Sequence, residues 1–212
     1  RSAAATRTQS ALVAADIALI LPVSTGMAYL NHYYANQLVA VLPDEQNLAA
    51  LWKKAVRDYG DDIYVVSIED ELELTYAELN QLVEITAGRL LAQLPQAGAP
   101  VCVAAEPKLE TVLLFWAAQL VGSPFAAIDP GWPVSRIAEI IQQHDFELLF
   151  IDTDIPRDAV LPENTQVISL ESESVSAGQY VQFEDWLEDE TAVSLPGAEP
   201  LRGSTAVILF TS

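Results

Sequence analysis

With 212 residues, 51% hydrophobic and 19% charged, the chain has the length for one large domain or two small ones and enough apolar residues to bury a sizeable core, which excludes an intrinsically disordered protein. Thirty acids against ten bases leave a net charge of -20. This argues against nucleic-acid binding and against an anionic membrane surface, since both recruit Lys and Arg.

Residues 1–43 read as a helical extension with a break near Pro22 to Gly26. The apolar run Ala11 to Val23 contains Asp16 and is too short to span a bilayer, and no A-x-A-like cleavage site follows it promptly. Met27, Leu30, Tyr33, Tyr34 and Leu38 recur at helical spacing. Such a stripe fits docking on the main domain, or a partner- or membrane-surface helix.

Asp44 can cap the next helix, in which Leu48, Leu51, Trp52, Ala55, Val56 and Tyr59 share a face and Gly60 can end the run. "IYVVSI" and "LELT" flank the acidic turn "EDE", a hairpin pattern. In "LTYAEL", Thr75 and Glu78 have capping-box spacing. Leu79, Leu82, Val83, Ala87, Leu90 and Leu94 then mark one helical face, and "PQAGAP" breaks the helix.

From here strands and helices alternate. "VCVAAE" is an apolar strand, and "PKLETVLLFWAAQLVG" is a helix with Pro107 near its first turn and Gly122 at its end. Its apolar character nearly all round over Val112 to Val121 predicts deep burial. "PFAAID" is a strand, "PVSRIAEIIQQHD" a helix opened by Pro133, and "FELLFID" and "TQVISL" are strands. "QYVQFEDWLED" reads as a short helix, residues 188–204 as a connector, and "AVILF" as a last strand. Acids crowd toward this end, with Glu184, Asp185, Glu188, Asp189 and Glu190 close together. They form a solvated face that aids solubility. The alternation predicts an α/β fold: a doubly wound, mostly parallel sheet with helices on both faces.

Few residues suggest chemistry directly. Cys102, the one cysteine, sits within "VCVAA" and reads as a buried structural thiol, with neither His32 nor His144 a sequence-evident partner. Two His and one Cys make no case for a zinc site. The run "AVILFTS" is a strand ending in small polar residues, which invites a phosphate-holding loop next.

Three motifs in one order carry more weight: "LTYAEL" at 74–79, "LVGSPFAAIDPGWPVSRIAEII" at 120–141 and "AVILFTS" at 206–212. Together they resemble successive core motifs of the adenylate-forming enzymes: acyl-CoA synthetases, adenylation domains of nonribosomal peptide synthetases and firefly-type luciferases. The resemblance covers residues 44–212 and leaves out the extension 1–43. It implies ATP and Mg²⁺ as cofactors, a carboxylic or amino acid as substrate, and a CoA or phosphopantetheine thiol as a possible acceptor. It implies that Thr211 and Ser212 begin the loop that cradles the ATP phosphates, with the rest of that loop and its Lys downstream. On this reading the chain is the amino-terminal part of a longer enzyme, inert by itself, cytoplasmic and prone to self-association.

No catalytic residue and no metal ligand is expected within the chain. Thr75, Tyr76 and Glu78 are architectural, and Arg136 reads first as a helix-start residue. "DPGWPVSR" leans slightly toward the amino-acid-activating branch. A binding or scaffolding module built on the same fold without catalysis is the alternative.

Overall fold

The computed structural model describes residues 47–67, 72–144, 146–152, 161–162, 164–170, 180–188 and 205–210. All of them fall in the unit Glu45–Ser212. The extension 1–43 with its aromatic stripe, His32, the connector 189–204, Thr211 and Ser212 lie outside the described residues.

Helix α1 (Leu48–Tyr59) is capped by Asn47, whose side-chain oxygen accepts from the Ala50 N–H at 2.8 Å. The expected cap, Asp44, stands too far upstream, because an Asx cap must sit within three residues of the N–H it satisfies. Gly60 ends α1 with right-handed backbone (φ -47°), so positive-φ freedom is not what that position uses. Crowding accounts for the glycine better: a Cβ there would lie 3.0 Å from the Val56 carbonyl oxygen.

Strands β1 (Ile63–Ser67) and β2 (Leu72–Thr75) pair antiparallel, as the hairpin pattern predicts. Thr75 then caps α2 (Tyr76–Gln93) with the capping box complete: the Glu78 N–H donates to the Thr75 hydroxyl and the Thr75 N–H donates to the Glu78 carboxylate. The predicted apolar face is the buried one, with Leu79, Val83, Ala87 and Leu90 fully enclosed.

The remaining elements build the main sheet. They are β3 (Val101–Ala104), α3 (Leu109–Val121), β4 (Phe125–Ala127), α4 (Val134–His144), β5 (Leu148–Ile151), β6 (Gln166–Ser169), β7 (Val181–Gln182), α5 (Phe183–Glu188) and β8 (Val207–Leu209). The six strands run parallel in the order β7-β6-β5-β3-β4-β8.

One sequence expectation changes here. "QYVQFEDWLED" is not helical throughout: Val181 and Gln182 extend the sheet beside β6, and the helix starts at Phe183. The β-branched valine gains ladder hydrogen bonds that no local pattern announces. The deep burial predicted for α3 holds: no residue from Val112 to Val121 is exposed. Leu113, Leu114, Trp116, Ala117 and Ala118 are enclosed, whereas Val112, Phe115, Leu120 and Val121 are half-buried around them.

Successive strand residues point to opposite faces, so the sheet has two cores. On the first face Val101, Val103, Leu148, Phe150 and Ile168 meet α1, α2, α3 and α5. On the second, Cys102, Ala104, Ala126, Leu149 and Ile151 meet Ile137, Ile140 and Ile141 of α4. Because β3 and β5 are covered on both sides, every residue in them is buried. Cys102 is among these, and burial pushes its thiol well above the ordinary value.

Candidate functional site

The strand order locates a crevice. From β3 the chain crosses by α3, on the first face, to β4. From β4 it crosses by α4, on the second face, back past β3 to β5. The loops leaving β3 and β4 therefore diverge to opposite faces. In open α/β sheets ligands bind outside the carboxyl ends of the strands at such a switch point.

Local sequence shapes each wall. After β3, Ala105 to Lys108 lead into α3. The Thr111 hydroxyl accepts from the Lys108 N–H at 2.9 Å and donates to the Lys108 carbonyl at 2.7 Å, closing the first turn. At the far end Gly122 takes the left-handed conformation (φ 73°) and returns the chain to β4, as its position predicts. After β4, the Asp129 carboxylate accepts from the Gly131 N–H at 2.8 Å and the Asp129 carbonyl accepts from the Trp132 N–H at 3.2 Å. That turn delivers Pro133, whose carbonyl accepts from the Arg136 and Ile137 N–H groups in the first turn of α4.

Sequence reasoning missed Asp152. It follows β5 directly, and its side chain is 5% exposed. One carboxylate oxygen accepts from the Glu106 N–H at 2.6 Å and lies 3.6 Å from the Lys108 ammonium, tying the carboxyl end of β5 to the loop after β3. Among the described residues the other oxygen is buried without a partner. An Asp after an apolar strand is common as a turn residue, so nothing in "FIDTD" announces a buried one; the tie exists only once β3 and β5 are neighbours.

Two cations stand at this end. Lys108 faces Asp152, and Arg136 pairs with Glu139 at 2.8 Å across an exposed helix surface. The structural reading of Arg136 as a helix-start residue fits this pairing. Tyr76 lies in the aromatic packing around Trp52, whereas Thr75 and Glu78 form the exposed capping box that starts α2. Thr211 and Ser212 follow Phe210 just after β8, and both fall outside the described residues.

The described residues do not by themselves fit a nucleotide with its metal. Among them no three His, Cys, Asp or Glu side chains converge to hold an ion, and both cations of the crevice already face acids. A small pocket of about 40 Å³ opens elsewhere, at the amino ends of the strands, lined by Gln119, Gly122, Ser123, Thr205 and Ala206 among others. It lies at the opposite end of the sheet from the switch point. Among the described residues no helix is long and apolar enough to cross a membrane.

The switch-point sheet defines a doubly wound α/β protein, and comparison with known proteins narrows the class. Residues 52–212 match the family of AMP-binding enzymes, so the chain belongs to that family. Among curated relatives, it is 31% identical over 149 residues to a linear gramicidin synthase of Brevibacillus parabrevis, covering 70% of this chain and 2% of that protein. It is 28% identical over 172 residues to phosphinothricin tripeptide synthetase PhsB of Streptomyces viridochromogenes, covering 80% of this chain and 13% of that protein.

Solved structures agree on the fold. The N-terminal domain of FACL13 from Mycobacterium tuberculosis superposes with a TM-score of 0.65 at 16% identity, over 79% of this chain and 42% of that one. The N-terminal subdomain of Klebsiella oxytoca NpsA gives 0.59 at 17% identity, over 78% and 38%. The chain therefore spans under half the length of these structures and a small fraction of the curated relatives.

Proposed function

We propose that this chain is part of an adenylation enzyme that activates an amino acid or another carboxylic acid with ATP and Mg²⁺ and passes it to a thiol of phosphopantetheine or CoA. The observation that carries the reading is the family match over residues 52–212, together with a parallel sheet whose strand β8 leads into Thr211-Ser212. The relatives named as peptide synthetases favour the amino-acid branch and a phosphopantetheine acceptor. When bound, ATP supplies the adenylyl group that makes the carboxylate reactive. In this reading the Thr211 and Ser212 hydroxyls are the first phosphate contacts, and the enzyme works in the cytoplasm.

Residues 1–212 by themselves are proposed to be inert. Phosphoryl-site chemistry depends on donors fixed around the phosphates, and losing one can cost about 2.7–4 kcal/mol. Two hydroxyls do not replace a nest of backbone N–H groups. The test is carboxylate-dependent exchange of pyrophosphate into ATP. We expect none from the 212-residue chain, and exchange with some amino or carboxylic acid from a chain extended to the length of its structural neighbours. Robust exchange by the purified short chain overturns the claim of inertness. An extended chain inert across a broad acid panel overturns the enzymatic reading and favours the non-catalytic module.

The short chain is also proposed to self-associate through β8. Among the described residues nothing pairs with the outer edge of β8, and Val207 and Leu209 are 39% and 65% exposed there. Unprotected apolar edges recruit further strands. Light scattering at high protein concentration and moderate salt should report species larger than 23.0 kDa. A monomer throughout rules this out.

A further inference from the structure

No further inference is drawn: the strongest candidate, the cluster of the Glu106 N–H, the Lys108 ammonium and the buried Asp152 carboxylate at the carboxyl ends of β3 and β5, belongs to the crevice already described, and nothing in the structure points to a ligand for the Asp152 oxygen that lacks a partner among the described residues.

Discussion

The two faces of the main sheet are built differently. The first carries four helices and most of the aromatic residues. Trp52 stacks on Trp116 with centroids 4.5 Å apart, Tyr64 meets Tyr76 edge-on at 4.7 Å, and Trp116 donates to the Tyr64 hydroxyl at 3.0 Å. Burial lifts that hydroxyl above its ordinary pKa. Farther along, Arg89, 1% exposed, donates to the Trp186 carbonyl at 2.7 Å and lies over its ring, fastening α5 to α2. On the second face, among the described residues, α4 is the one helix against strands β3, β4 and β5, packing mostly through isoleucines with Phe146 beside it. A face packed by large interlocked rings resists change, whereas a face covered by one amphipathic helix can adjust by moving that helix. The first face holds the fold together, while the crevice lies at the sheet's end, where one loop leaves to each face.

Substitutions can break or sharpen this comparison. Trp52→Ala should have the largest effect, destabilising the protein by about 3–5 kcal/mol, because it empties the centre of the ring cluster and strands the Asn80 side chain that accepts from its indole N–H. Ile141→Ala on the second face should cost about 2 kcal/mol, the low end for such truncations, because α4 can settle onto the sheet. Denaturant unfolding of both variants measures the difference. Equal losses, or a larger one for Ile141→Ala, would contradict the asymmetry.

A smaller effect belongs to the cap that starts α2 on the first face. Thr75→Ala should cost about 1 kcal/mol at neutral pH. The Glu78 carboxyl sits below its ordinary 4.5, held there first by the Thr75 backbone N–H and then by the Thr75 hydroxyl. A lowered folded-state pKa stabilises the fold above 4.5, and that contribution fades as pH falls from 4.5 through the folded value. Glu78→Gln should therefore flatten the acid limb of the stability profile and leave the neutral limb's slope unchanged. An unaltered acid limb would show that the box does not contribute in solution.

The smallest signal should come from the second face itself. Cys102 is fully enclosed between β4 and β5. A thiol reagent should label it no faster than the protein unfolds, as followed by mass spectrometry with and without denaturant. Rapid native labelling would mean that α4 opens far more readily than the packing implies.

Local signals in the sequence were enough for much of this architecture. The Thr75–Glu78 spacing set the start of α2, the apolar period set its buried face, and Gly122 set the end of α3, because each depends on contacts within a turn or two. The alternation of strands and helices set the parallel class, since a parallel pair requires a crossover. The family motifs pointed to the end of β8, although the two residues named there fall outside the described structure. Only the tertiary structure decided the rest. It chose Asn47 over Asp44 as the cap, and it drew Val181 and Gln182 into the sheet beside β6. It also placed Asp152 against Glu106 and Lys108, 46 residues apart in chain for the hydrogen-bonded pair. Strand order and buried polar ties of this kind depend on which distant segments become neighbours, and hydrophobic periodicity carries no record of that.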